Sequence, residues 1–207
     1  MIAIVDYGMG NLRSLSNALV SAGAEVVITS SSADLRRADR IVLPGVGAFG
    51  DAARALRESG LTETLAAEVL RERKPLLGIC LGMQLLARTS TEHGSHEGLG
   101  WIDAEVFRLP SATGIKVPHV GWNSVTFDSG DWLFRGIRST ESNFYFVHSY
   151  HMVCRNSAEV IGTAKNGVIF TAAVRVGSVV ATQFHPEKSQ DNGIRLLSNW
   201  LRWDPAC

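Results

Sequence analysis

The stretch LLGICLGMQLLA, residues 76–87, sets a thiol between an apolar run, Leu76 to Ile79, and a segment with helical spacing. A cysteine between a buried strand and a helix sits on a tight turn that lifts its side chain out at the sheet's C-terminal edge. Hydrolases with a G-x-S-x-G motif place a nucleophile on this kind of elbow. Gly78 and Gly82, two residues either side of Cys80, remove side chains that would crowd such a turn. The helix N-terminus beneath the sulfur favours thiolate, the nucleophilic form. The amide of Leu81, the first free one in that helix, can point at the oxyanion formed when a carbonyl is attacked. Taken alone, Cys80 reads more readily as a core filler, because free cysteine is among the most buried residue types.

A nucleophile needs a base, and the candidates are His93, His96, His119, His148, His151 and His185. His185 follows a strand-like run, Val179–Gln183, within QFHPEKS. Proline after it holds the local chain extended, and positions i and i+2 of an extended segment face the same way. Glu187 then lies beside the imidazole, where a carboxylate fixes the tautomer and stabilises imidazolium. LPGVGAFG, residues 43–50, offers a second oxyanion donor, since the turn Gly45, Val46, Gly47 directly follows a strand that ends at the same edge. Gln84 lies one helical turn after Cys80, on the same face. His93, His96 and Glu97 in HGSHE have loosely metal-like spacing, but a polar loop without a fourth ligand makes a metal hydrolase the weaker reading.

The elements that position these groups alternate along the first half of the chain. Ile2–Val5, Glu25–Thr29, Arg40–Leu43 and Leu76–Ile79 read as strands. Leu12–Ser21, Ala33–Ala38, Ala52–Ser59, Thr62–Arg73 and Leu81–Arg88 read as helices, with Gly23 as the stop of the first. After a polar loop, Thr89–Gly98, the second half is β-rich: Ile102–Leu109, Phe144–Val153, Val160–Lys165, Ile169–Val174 and Val179–Gln183. Asn192–Leu201 is a closing helix. The pattern predicts one α/β domain over 1–207, with a mainly parallel central sheet flanked by helices and an antiparallel β extension.

Of the 207 residues, 45% are hydrophobic and 19% charged, which suits a sizeable core and excludes disorder. Twenty basic residues balance twenty acidic ones, so no electrostatic footprint for nucleic acid or anionic lipid is expected. No apolar run approaches the roughly 20 residues of a membrane span. The N-terminal MIAIVDYGMGN lacks a basic region and does not read as a signal peptide. Cys80, Cys154 and Cys207, without a CxxC pair, read as reduced thiols of a cytoplasmic protein.

GICLGMQ, together with PGVGAF and HPE, resembles the class I, or triad, glutamine amidotransferases. DYGMGNL (6–12), VPHVGWNSV (117–125) and FYFVHSYHMV (144–153) are similar to the glutaminase subunits of imidazole glycerol phosphate synthases, from histidine biosynthesis. The resemblance implies Cys80 as nucleophile, His185 as base and Glu187 as its orienter, acting on the side-chain amide of L-glutamine without a cofactor. It further implies that Gly47, Gln84, Ser149 and Tyr150 hold the amino-acid end of glutamine. The implied partner is a (β/α)-barrel cyclase subunit that receives ammonia by a dry route and docks on Asn11, Trp122, Asn123 and Lys188. One departure is His151, where the family usually has a second tyrosine after Tyr150. His119 and His148 are read as supports of the sheet edge or interface. A glutaminase serving another synthase, such as those for pyridoxal phosphate, aminobenzoate or guanylate, is the nearest alternative. A non-catalytic scaffold is the alternative from a different class.

Overall fold

Short apolar runs separated by amphipathic segments build a sheet whose strand order decides where the cysteine and the histidine end up. The computed structural model describes residues 1–111, 115–138, 140 and 142–205; Cys207 lies outside them. In the first half, strands β1 (Ile2–Val5), β2 (Val26–Thr29), β3 (Arg40–Leu43) and β4 (Leu76–Ile79) alternate with helices. Those helices are α1 (Leu12–Ser21), α2 (Ser32–Arg37), α3 (Phe49–Glu58), α4 (Thr62–Ala66) and α5 (Leu81–Leu85). The second half supplies β5 (Thr89–Ser90), β6 (His96–Glu97), β7 (Ala104–Arg108), β8 (His119–Ser124) and β9 (Thr126–Phe127). It continues with β10 (Asn143–His148), β11 (Tyr150–Cys154), β12 (Val160–Asn166), β13 (Val168–Val176), β14 (Val179–Thr182) and the closing helix α6 (Gln190–Arg202).

The main sheet has eight strands in the order β2-β1-β3-β4-β14-β13-β12-β9. Its β2 to β14 portion is parallel, and β13, β12 and β9 continue it antiparallel, as the sequence pattern predicts. β4 and β14 are neighbours with Ile79 opposite Thr182, so both end at one edge of the sheet. Cys80 leaves β4 there and His185 leaves β14 there, which is how residues far apart in sequence come together.

Strand periodicity divides the buried side chains between two faces. Ala3, Val5, Ile41 and Leu43 face α2, α3 and α4, packing with Leu35, Phe49, Leu56 and Leu65. Ile2, Ile4 and Val42 face α1 and α6, packing with Leu15, Leu19, Leu196, Leu197 and Trp200. In α6, Gly193, Leu196, Leu197 and Trp200 form the buried stripe that seats this helix, as the i, i+3, i+4, i+7 rule requires.

Several elements differ from their sequence expectations for local reasons. The predicted single strand over Phe144–Val153 is two strands in two sheets: β10 pairs with β8 and β11 with β7. The chain changes sheets at Ser149, whose carbonyl accepts from the Leu109 amide at 2.8 Å. Part of the predicted polar loop is a β5–β6 hairpin. The predicted helix Leu81–Arg88 stops at Leu85, and i→i−3 bonds from Leu86 and Ala87 tighten its end. The predicted helix Thr62–Arg73 passes into a π-helical turn at Ala67–Arg71, beyond which Lys74 Nζ donates to Glu68 Oε2 at 2.7 Å. β8 is not expected as a strand, because VPHVGWNSV carries proline and glycine among its apolar residues, and β9 is only two residues long.

Gly193 lies where α6 crosses the turn that follows His185, and a Cβ there would sit 1.8 Å from the Pro186 carbonyl oxygen. Gly193→Ala is therefore expected to lower stability by about 1–3 kcal/mol or more through overpacking. A urea midpoint equal to that of the unaltered chain would contradict this seating of α6.

Candidate active site

The turn at Cys80 is strained in the way a raised nucleophile requires. Its backbone has φ 54° and ψ −109°, a left-handed conformation that a residue with a Cβ rarely adopts. Its amide still donates to Thr182 O at 2.8 Å, closing the last rung between β4 and β14. Three glycines permit the turn, Gly45 and Gly82 by letting backbones meet and Gly78 by making room for side chains. A Cβ on Gly82 would lie 1.9 Å from Leu43 O, and one on Gly45 would lie 2.8 Å from both Gly82 N and the Tyr7 hydroxyl. A Cβ on Gly78 would fall within 3.0–3.2 Å of Leu86, Ala181 and Gly82. The Tyr7 hydroxyl donates to Pro44 O at 2.8 Å, so the DYG segment anchors the start of the PGVG turn.

The sulfur opens into a cavity of about 300 Å³. Cys80, Leu81, Gln84 and His185 line its floor, and Val46 and Gly47 line one side. Ser149 and Tyr150, at the corner where the chain changes sheets, line another, with Lys188 at the rim. Gly45 and Glu187 stand just behind, around a smaller cavity shared with Asn11 and His185.

His185 is 2% exposed, and its Nδ1 lies 2.7 Å from Glu187 Oε1. The route to this pair differs from the extended segment expected. Pro186–Lys188 form a 3₁₀ turn that folds the carboxylate back onto the ring. The imidazole's backbone is fixed twice, by His185 N to Tyr145 O at 2.9 Å and by Ser189 Oγ to His185 O at 2.6 Å. Burial alone would lower the pKa of this imidazole. The Cys80 sulfur on one side and the Glu187 carboxylate on the other outweigh it and push the imidazole up to about 10. His185 Nε2 is buried without a conventional hydrogen-bond partner and has the sulfur beside it. A thiol, a protonated imidazole and a buried carboxylate in this order can perform acyl transfer from an amide.

Gln84 is buried, not a surface amide, and its Nε2 donates to Tyr150 O at 2.9 Å and to Gln183 Oε1 at 3.0 Å. Gln183 Nε2 in turn lies 3.7 Å from Cys80 Sγ. The sequence reading missed Gln183, although its place two residues before His185 at the end of β14 is a usable signal. Glu92 was missed as well. It lines the cavity and accepts from the Phe49 amide at 2.7 Å, capping α3 with a carboxylate. Its signal was hidden because TSTEHGSHEG reads as a solvated loop.

Of the expected docking residues, Trp122 is 49% exposed on β8. Its ring lies 6.0 Å from Tyr145, and Lys188 Nζ is 5.7 Å over the Tyr145 ring, giving a continuous row from β8 to the turn after His185. Asn123 lies on the opposite face of β8 and donates to Lys165 O at 2.8 Å. Asn11, exposed, precedes α1. His151 does not line the cavity; it borders a separate groove with Cys154 and Phe170. Among the described residues, no three His, Cys, Asp or Glu side chains gather as metal ligands, and no helix is long and apolar enough to cross a membrane.

A cysteine elbow, a buried histidine–carboxylate pair and a largely parallel sheet define a class I glutamine amidotransferase. The sequence profile of the glutamine amidotransferase class-I family matches residues 3–202. Among solved structures, the fold is similar to "Structure of PurLQS from Thermotoga maritima", with a TM-score of 0.72 at 20% identity, covering 97% of this chain and 96% of that one. "Imidazole glycerol phosphate synthase subunit HisH 2" of Nitrobacter winogradskyi is 49% identical over 209 residues, 99% of each chain. "Imidazole glycerol phosphate synthase subunit HisH" of Aquifex aeolicus is 46% identical over 201 residues, 96% of this chain and 95% of that one. The chain belongs to the class-I glutamine amidotransferases and, within them, to the imidazole glycerol phosphate synthase HisH subunits.

Replacing Gln183 by leucine keeps the volume but takes an acceptor from Gln84 and a donor from the sulfur. Leaving a buried amide partly unsatisfied is expected to cost about 1–3 kcal/mol. Thermal unfolding of Gln183→Leu, together with glutamine turnover, checks this; an unchanged melting temperature would show that the buried amide pair contributes no stability.

Proposed function

We propose that Cys80, His185 and Glu187 hydrolyse L-glutamine to glutamate and ammonia for an imidazole glycerol phosphate synthase, with residues 1–207 acting as one amidotransferase domain. The reading rests above all on Cys80 and His185 lining one cavity, with Glu187 2.7 Å behind the imidazole. Membership of the HisH family supports the assignment of glutamine and of histidine biosynthesis.

The Cys80 thiolate attacks the side-chain carbonyl carbon. The Leu81 amide and the Gly45–Val46–Gly47 turn supply the oxyanion donors. Protonated His185 gives its proton to the departing ammonia, leaving a γ-glutamyl thioester on Cys80. His185, now neutral, takes a proton from water as that water attacks the thioester, and glutamate leaves with the thiolate restored. Glu187 holds Nδ1–H throughout and stabilises the imidazolium.

Gly47, Ser149 and Tyr150 hold the amino-acid end of glutamine, with Gln84 beneath them. Glu92 is the only carboxylate among the residues lining the main cavity and complements the α-ammonium. The pairing of a protein carboxylate with a substrate ammonium is of the charge-assisted kind.

The ammonia goes to a (β/α)-barrel cyclase subunit seated on Trp122, Asn11, Lys188 and the strand that carries Asn123. That subunit makes imidazole glycerol phosphate and an aminoimidazole carboxamide ribotide. Ammonia in open neutral water is mostly ammonium, which is no nucleophile, so direct docking over the site suits the chemistry. The whole assembly works in the cytoplasm.

The reading is tested by measuring glutamine turnover with and without the cyclase and its nucleotide ligand. Turnover is expected to rise with the cyclase and to vanish in Cys80→Ala; glutamate release surviving that substitution would end the proposal.

Glu187→Gln tests the pair itself. Without the carboxylate's charge, the pKa of His185 falls from about 10, so the acid form is lost at lower pH. The alkaline fall of kcat/KM is then expected to begin at lower pH, with turnover reduced on the order of 10²-fold. A pH–rate profile with its alkaline limb unmoved would count against Glu187 as the orienter.

A further inference from the structure

Two histidines that the mechanism does not use, His148 in the cavity wall and His119 behind it, are hydrogen-bonded to each other. His119 on β8 and His148 at the end of β10 are 8% and 7% exposed, with His119 Nδ1 3.0 Å from His148 Nε2. Their neighbours fix where every proton sits. Asn123 Oδ1 accepts from the Ser124 amide at 2.8 Å, so its Nδ2 is oriented toward Lys165 O and toward His119 Nε2 at 3.2 Å. An amide nitrogen only donates, which makes His119 Nε2 an acceptor and puts the ring proton on Nδ1. His148 Nε2 must then accept that proton's hydrogen bond, leaving His148 Nδ1–H to donate to Tyr150 O at 2.9 Å.

All hydrogen bonds thus run one way, from Asn123 through His119 and His148 to the Tyr150 carbonyl. A second proton on either ring would set N–H against N–H and break the chain. The surroundings agree. His119 packs 4.9 Å from Phe146 and 5.6 Å from Phe170, and His148 lies 5.0 Å from Phe170. Burial lowers His119 and holds His148 down at about 3, so both rings are neutral at physiological pH.

The far end of this chain is the glutamine pocket. The Tyr150 carbonyl also accepts from Gln84 Nε2, whose other bond reaches Gln183 and, through it, the Cys80 sulfur. The near end is the strand bearing exposed Val120 and Trp122 on its outer face. We propose that His119 and His148 are positioning residues, a relay of neutral imidazoles that sets the Tyr150 wall of the glutamine pocket according to what is seated on β8. The inference rests on the docking of a cyclase on β8 proposed above, and it assigns the relay a coupling role beyond packing.

The test uses the full chain in complex with the cyclase subunit. His119→Phe keeps a flat ring between Phe146 and Phe170 but removes both hydrogen bonds. The expected result is a cooperative melting profile at a modestly lower temperature, because His148 Nε2 loses its buried partner, with unchanged cyclase affinity. The cyclase-dependent improvement in KM for glutamine should shrink about fivefold, the scale of one neutral buried hydrogen bond, with kcat little altered. A merely structural pair would not separate KM response from partner affinity in this way, and an undiminished response in folded His119→Phe would overturn the relay. Long-range ¹H–¹⁵N spectra of the unaltered chain give a second, independent check, decisive even if the variant fails to fold. Both rings are expected neutral with the proton on Nδ1; a proton on His148 Nε2, or a charged ring at neutral pH, would overturn it. Absence of any cyclase effect on the unaltered chain would instead remove the docking proposal, while the spectra would still decide the wiring.

Discussion

Everything in this site depends on the parallel pairing of β4 with β14. Ile79 lies opposite Thr182, and the next rung is the Cys80 amide on the Thr182 carbonyl at 2.8 Å. Because both strands run the same way, their C-terminal ends are side by side, and the segments leaving them can share a cavity. An antiparallel neighbour would have sent one of the two groups to the opposite edge. The thiol and the imidazole are thus brought together by backbone hydrogen bonding before any side chain contributes.

What the backbone brings together, buried polar contacts then hold in a particular state. His185 sits almost wholly out of water, where an uncompensated charge is costly. Its charged form persists because an acidic group stands at each ring nitrogen, the sulfur beyond Nε2 and Glu187 at Nδ1. The His119–His148 pair is the reverse case. It too is buried, but its rings are bonded only to each other, to an amide and to a carbonyl, and burial keeps both neutral. Two histidine environments in one domain are driven to opposite protonation states, one by its charged partners and the other by burial.

The sequence disclosed the chemistry better than the connections. Cys80, His185 and Glu187 were legible because each sits at an end of a recognisable apolar run, and the alternation of runs predicted the parallel sheet. The i/i+2 argument for Glu187 found the right residue by the wrong conformation, since proline here starts a 3₁₀ turn. Ser149 as a sheet-changing corner was not legible, because FYFVHSYHMV is uniformly β-like and nothing in its composition marks the break. Gln183 and Glu92 were missed for a related reason. Their placement at the cavity follows from long-range packing, on which local spacing is silent. The orientation of Asn123 away from Trp122 follows simply from strand alternation, once β8 is known to be a strand.

The crowding around the elbow has a consequence for how the activity could diversify. At Gly45 and Gly82 two stretches of main chain touch with no room for even a methyl group, and Gly78 is closely crowded by Leu86 and Ala181. Changes of preference for the acyl donor are therefore closed off at the nucleophile's own turn, where every substitution competes with the fold. They remain open along the rim contributed by the β5–β6 hairpin and the Ser149 bend, whose residues reach the same space from separate, adjustable supports. Evolution or redesign of this scaffold toward other amides has its freedom there.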